Sequence, residues 1–199
     1  MAYMEVKPIV LEGEHVRLEP MTESHVPALA EIGVGQGFWD FMVYGDMKTE
    51  NDMQGWVNEI LERAEKGTDL PFVAIHRKSG RVAGATRYLN IMPVDRGLEV
   101  GGTWYGLDFQ RTAVNTECKY LLFSHAFETL GCIRVQLKTD LRNERSQKAI
   151  ERIGAKKEGV LRNHMILPDG HIRDSVYYSI LDSEWADVKR RLEEMLIRH

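Results

Sequence analysis

The sequence predicts an α+β fold, a mixed and mostly antiparallel central sheet with helices laid on it. Three observations carry that prediction. LPFVAIHR, RVAGATRYLNIM and LEVGGTWY are strand-like runs separated only by the turn sequences KSGR and PVDRG, which read as an antiparallel meander. A strand, helix and strand follow from Glu99 to Thr139, a unit that gives a parallel pair joined by a right-handed crossover. GVLRNHMIL and HIRDSVYYSIL then flank Pro168-Asp169-Gly170, a hairpin turn in which the glycine takes a positive φ.

Each element has a local reason. In IVLEGEHVRLEP, Val16 and Leu18 alternate with Arg17 and Glu19 as in a half-buried strand. Thr22 caps a helix through Leu29 and Ile32, and a second helix carries Met53, Trp56, Val57, Ile60 and Leu61 at spacings of three and four. The loop between them, GVGQGFWDFMVYGDM, is broken by glycines and rich in aromatics. After the meander a helix from Thr112 to Leu130 turns Val114, Cys118, Leu121, Leu122 and Ala126 inward and stops at Gly131. IRVQLKT is the next strand. Asn143 caps the short helix NERSQKAIERIG, which ends at Gly154. The charged helix SEWADVKRRLEEMLI closes the chain, its KRR and EE pairs forming a solvated face.

Composition narrows the function classes. With 199 residues, 43% of them hydrophobic, and no internal linker or repeat, residues 1–199 are expected to form a single domain. A net charge of −4 lacks the basic excess that neutralises a nucleic-acid backbone, so no nucleic acid is expected as partner. No apolar run approaches the roughly 20 residues of a bilayer span, and the opening has no apolar leader core, so no membrane association and a cytoplasmic location are expected. Two cysteines and seven scattered histidines show no metal-ligand spacing, and no metal is expected.

The joint between EVGGTWY and QRTAVNTECKYLLFSHAF is the most informative stretch. Ligands of an open sheet collect beyond the carboxyl ends of parallel strands, where a helix start offers unpaired amides and a positive dipole end. Backbone N–H groups from Arg111 through Thr112, Ala113, Val114 and Asn115 to Thr116 suit a pyrophosphate, with the Arg111 guanidinium adding charge; the plainer reading is that Thr112 caps a helix. Gly101-Gly102 in mid-strand marks a bulge or a close backbone approach, which would splay the parallel pair and free its peptide groups for an extended amide-containing ligand.

From EVGGTWYGLDFQ through DSVYYSILDSEW the chain resembles the core of a GCN5-related N-acetyltransferase (GNAT), in the branch of the ribosomal-protein alanine acetyltransferases. LEGEHVRLEP and LPFVAI extend the likeness over most of the chain. The resemblance implies a sheet with a splayed parallel pair and helices on both faces, and an enzyme that moves the acetyl group of acetyl-CoA to a primary amine by direct attack. The family's phosphate loop, Gln/Arg-x-x-Gly-x-Gly/Ala, falls on Gln110, Ala113 and Asn115, so both glycines are absent. The resemblance also implies pantetheine along Thr103, Trp104 and Tyr105, a further pantetheine contact at Asn143, and the Ser146 hydroxyl near the sulfur.

Glu99 matches the carboxylate that precedes the branch's Ile/Val-Gly and is the candidate base, acting through water; its plain alternative is an ordinary strand glutamate. Some relatives place a further carboxylate where this chain has His164 and Met165, which makes His164 the reserve base, or else a packed strand histidine. Trp39, Phe41 and Tyr44 in the aromatic loop, with Arg87 and the hairpin from Asp169 to Arg173, are expected to border the acceptor amine, a protein N-terminus or a small molecule. A homodimer fits the branch. The alternatives are a non-catalytic acyl-CoA-binding module and an interaction protein that uses the aromatic loop and last helix.

Overall fold

A computed structural model describes residues 4–198. Its eight strands are β1 (Leu11–Glu12), β2 (Val16–Pro20), β3 (Leu70–His76), β4 (Val82–Met92), β5 (Gly97–Tyr105), β6 (Arg134–Asp140), β7 (Lys156–Ile166) and β8 (Ile172–Leu181). They form one sheet in the order β1-β2-β3-β4-β5-β6-β8-β7, antiparallel throughout except for β5 and β6. The five helices are α1 (Val26–Gly33), α2 (Glu50–Glu65), α3 (Ala113–Ser124), α4 (Glu144–Arg152) and α5 (Trp185–Leu196). This is the expected α+β architecture, with β3, β4 and β5 as the meander and β7 and β8 as the hairpin, Gly170 taking φ 83° in its turn.

Strand alternation sends neighbouring side chains to opposite faces, so each face has its own core. Phe72 and Ala74 of β3 join Leu98, Val135, Leu137 and Tyr178 beneath Val114, Cys118 and Leu122 of α3, Ile150 of α4 and Val188 and Leu192 of α5. Val73 between them turns the other way, with Ala85 and Trp104, toward Leu29 of α1 and Met53, Val57 and Ile60 of α2. The start of α2 carries a reciprocal cap, Thr49 Oγ1 accepting the Asp52 N–H (3.2 Å) while Asp52 Oδ2 accepts the Thr49 N–H (2.8 Å). Thr22 instead leads into α1 through a 3₁₀ turn, Glu23–His25, with His25 at the N-cap of α1. Among the described residues, no helix is long and apolar enough to cross a membrane.

Two elements depart from the expectation. The opening strand folds back on itself, Leu11 pairing with Leu18, because the buried Glu117 carboxylate of α3 gathers the amides of Glu14 (2.8 Å), His15 (2.7 Å) and Val16 (2.6 Å) into a tight turn. Gly13 lies against that carboxylate, and a Cβ there would come within 2.3 Å of it. The long helix, in turn, changes character before Gly131. Tyr88 Oη donates to the Leu122 carbonyl at 2.6 Å, and the next turn, His125–Thr129, widens into a π-helix.

The Glu117 contact is the main side-chain tie between the first hairpin and the sheet's covering helix. Glu117→Ala leaves three amides without their charged acceptor and is expected to cost about 3 kcal/mol, a fall in Tm on the order of 6–12 °C, measured by calorimetry.

Candidate active site

The parallel ladder is short. Gly97, Leu98 and Glu99 of β5 pair with Arg134, Val135 and Gln136 of β6, and pairing ends there. Beyond Glu99, β5 continues along β4 to Tyr105, while β6 continues along β8 to Asp140. The two strands therefore separate into a wedge, with Val100 to Tyr105 on one side and Leu137 to Asp140 on the other. The cause is the bulge at the glycine pair: the β4–β5 register passes from Ala85↔Trp104 to Arg87↔Gly101, setting Gly102 and Thr103 opposite Thr86. Gly102 has φ 56°, and a Cβ there would stand 3.2 Å from the Arg87 guanidinium carbon.

Side chains of β5 bordering the wedge differ in what they can offer. Trp104 stacks on Phe38 (centroids 5.4 Å apart) and is buried with Trp39 and Trp56, and Tyr105 is buried beside Cys118. Only the main chain of these two residues can meet a ligand in the wedge. Thr103 is half-buried, its hydroxyl bonded to Thr86 Oγ1 (2.8 Å) and to the Lys119 ammonium (2.9 Å).

The start of α3 stands at the open end of the wedge. Thr112 does cap the helix, Oγ1 accepting the Val114 N–H at 3.3 Å. Among the described residues the amides of Arg111, Thr112, Ala113 and Asn115 meet no acceptor, so the cap leaves donors free. In place of a glycine, Arg111 itself adopts a left-handed φ of 62°, an uncommon conformation for a residue with a side chain. Gln110 is clamped from both ends: Nε2 donates to the Tyr105 carbonyl (2.8 Å) and Oε1 accepts from Arg145 of α4 (2.7 Å). Arg152 donates to Thr116 Oγ1 (3.2 Å), so α4 brings two guanidinium groups to the same end as Arg111.

Glu99 sits at the apex, where the ladder ends. It is 2% exposed, and its Oε2 accepts from Asn90 Nδ2 (2.9 Å), Gln136 Nε2 (3.0 Å) and Lys138 Nζ (3.2 Å). An ordinary exposed strand glutamate would have none of these. Nearby, half-buried His164 places Nδ1 2.9 Å from Ser175 Oγ and Nε2 3.2 Å from Tyr177 Oη. Burial, with Lys138 and Arg173 adding to it and Glu99 opposing, holds the His164 imidazole below its ordinary pKa and so neutral at pH 7. Burial and the Glu99 charge push the Tyr177 phenol up, keeping it protonated.

The aromatic loop contains a short 3₁₀ turn at Gly37–Phe41. Arg173 of β8 donates to the Phe41 carbonyl (3.1 Å) and Arg142 lies 5.6 Å from the Phe41 ring centroid, so loop and hairpin touch. Trp39 is core, 1% exposed, its indole N–H on the Gly33 carbonyl at 2.8 Å. Arg87 is also buried, Nε 3.0 Å from Asp69 Oδ2, with Tyr44 Oη hydrogen-bonded to its guanidinium and the Tyr44 ring beside it. These two residues back the loop from beneath, while Phe41, Tyr44 and His164 are half-buried. On α4, Asn143 Oδ1 accepts the Ser146 N–H (3.0 Å), which leaves the Asn143 amide nitrogen and the half-buried Ser146 hydroxyl available. Asn90, Gln136, Lys138 and Tyr177 carried no signal beyond polar residues within strands. Among the described residues no group of three or more His, Cys, Asp or Glu side chains is placed to hold a metal ion.

A family model of the acetyltransferase (GNAT) domain matches residues 15–156, most of the chain and all of the wedge. The chain belongs to the GNAT acetyltransferase family. Within this family it is 34% identical over 110 residues to the Bacillus subtilis (strain 168) protein named "Putative ribosomal N-acetyltransferase YdaF", a match covering 55% of this chain and 59% of that relative. The chain thus spans about three-fifths of the length of that curated relative. A crystal structure from T. thermophilus, described as a "putative acetyltransferase", shares 40% identity at TM-score 0.88, covering 97% of this chain and 100% of the other. Mycobacterium smegmatis RimJ in complex with CoA-disulfide shares the fold at TM-score 0.80 and 20% identity, over 94% of this chain and 95% of that one.

Because the bulge of this GNAT domain closes over a buried ion pair, removing one partner strands the other charge. Asp69→Ala is expected to destabilise the fold by about 3 kcal/mol, read as a lower urea midpoint at unchanged m, whereas Tyr44→Phe is expected to cost about 1 kcal/mol or less.

Proposed function

We propose that the protein is an N-acetyltransferase that passes the acetyl group of acetyl-CoA to a primary amine, a protein N-terminus or a small amine, by direct attack within a ternary complex. The observation that carries this reading is the wedge: a ladder of three rungs that opens past Glu99 toward free amides at the start of α3. In this reading the pyrophosphate takes the free amides within residues 111–116, with Arg111 adding charge and Gln110 holding the loop. The pantetheine arm lies along the main chain of Thr103, Trp104 and Tyr105 and against Asn143. A membership that includes a curated relative named for ribosomal N-acetylation, and a same-fold protein described with CoA-disulfide, supports the donor and the acceptor class.

The chemistry follows from the groups at the apex. The amine must lose a proton, its nitrogen forms a bond to the thioester carbonyl carbon, and the carbon–sulfur bond breaks. Glu99 accepts that proton through a water, and the Ser146 hydroxyl lies near the sulfur to protonate the departing thiolate, recovering its own proton from solvent as Glu99 releases one. His164, neutral at pH 7 but engaged at both ring nitrogens, borders the amine with Phe41 and Tyr44, supported by Trp39 and Arg87.

Release of CoA thiol, followed with a panel of amines and N-terminal peptides, tests the reading. Amine-dependent release is expected; CoA binding with no release under any amine would instead make the protein an acyl-CoA-binding module. Glu99→Gln is expected to lower kcat on the order of 100-fold with CoA affinity unchanged, and full turnover would remove Glu99 as base. Ala113→Leu, which adds bulk beside the free amides, is expected to raise KM for acetyl-CoA several-fold while KM for the amine holds.

A further inference from the structure

A buried lysine beside the wedge has no role in the scheme above. Lys119 is 6% exposed, and burial pushes its ammonium down to about 8. Its only hydrogen-bond acceptor among the described residues is Thr103 Oγ1 at 2.9 Å, so two of its three N–H donors have none. A buried cation with so little compensation is costly, and a Met or Leu would fill the same volume without that cost.

Its direction locates the missing acceptor. On α3, Glu117 points toward the β1–β2 turn, at one end of the sheet. Thr116 points the other way, to Arg152 of α4, and Lys119, three residues on, shares that side of the helix. The ammonium arrives at Thr103, within the stretch of β5 that has parted from β6. Six residues separate Lys119 from Ala113, about 9 Å along the helix axis. That distance is too long for a phosphate resting on the first-turn amides, and it falls within the length of the arm that would follow.

We propose that Lys119 is a binding residue for the pantetheine arm of CoA, its free N–H groups donating to an amide carbonyl of that arm while Thr103 orients the ammonium. The proposal rests on the acetyl-CoA reading above. The competing role is purely structural, a tie between α3 and β5, and the two are separated by using ligands with and without the arm.

Calorimetric titration of wild type, Lys119→Met and Lys119→Arg with CoA and with adenosine 3′,5′-bisphosphate, which lacks the arm, provides the test. The expected result is CoA binding weakened about tenfold or more in Lys119→Met, restored to within about threefold in Lys119→Arg, and bisphosphate binding unchanged in both. Equal losses for the two ligands, or no loss for CoA, would overturn the proposal while leaving the acetyl-CoA reading in place. A wild type that binds neither ligand would remove both. If Lys119→Met does not fold, a crystal structure of the wild type with CoA decides: Nζ within hydrogen-bond distance of an arm carbonyl supports the proposal, and Nζ bonded only to protein overturns it.

Discussion

The wedge depends on a buried guanidinium. Arg87 occupies the space that a side chain at position 102 would need, and its charge is balanced by Asp69 at 3.0 Å in a site where both side chains are almost wholly enclosed. Gly102 can meet it because φ 56° is accessible to glycine without strain, and the resulting bulge turns β5 away from β6. Tyr44 completes the unit by bonding the same guanidinium, so the aromatic loop, the start of β3 and the bulge are anchored to one cation. A hydrophobic residue in place of Arg87 would remove the desolvation cost, but it would also release the loop and the strand from each other.

The helix facing the wedge is fixed at three points along its length. Thr112 caps its start, the Glu117 carboxylate is bound to the β1–β2 turn, and the Tyr88 hydroxyl holds its last α-helical turn. A ligand that takes the free amides at its start meets donors that are already oriented, so little ordering entropy is lost on binding. Left-handed Arg111 and the Gln110 clamp extend the same pre-organisation into the loop. In the proposed reading, the two glycines missing from the loop are replaced by geometry: main-chain donors need only the right backbone path, and residues 110–112 supply it with side-chain support.

Element type and order were legible because they arise from local periodicity and turn chemistry, as with Val16 and Leu18, the KSGR turn or the Pro168-Asp169-Gly170 hairpin. The bulge at Gly101-Gly102 was legible for a related reason, since adjacent glycines within a strand have few other uses. Partnerships across the sheet were not. Glu117 reads as a surface charge on a helix, yet its three donors lie about a hundred residues earlier in the chain. Arg87 reads as a polar strand residue facing a substrate, whereas its counter-charge Asp69 comes from the far end of the neighbouring strand's turn. No window of sequence contains both halves of either pair, and burial is what converts each from a surface charge into a constraint.

The same long-range logic sets the electrostatics of the apex. The Glu99 carboxylate there faces Lys138 directly, with the Arg173 cation close enough to influence its neighbours His164 and Tyr177. Burial, with Lys138 and Arg173, lowers the His164 pKa while Glu99 opposes it, and in the proposed reaction an ammonium entering this space meets the same charges, with the buried Asp140 carboxylate also beside Arg173. Two side-chain amides, Asn90 and Gln136, hold the carboxylate in place without adding charge. In the proposed reaction the carboxylate's part is to receive the proton at a fixed position where the strands divide, with Lys138 and Arg173 beside it.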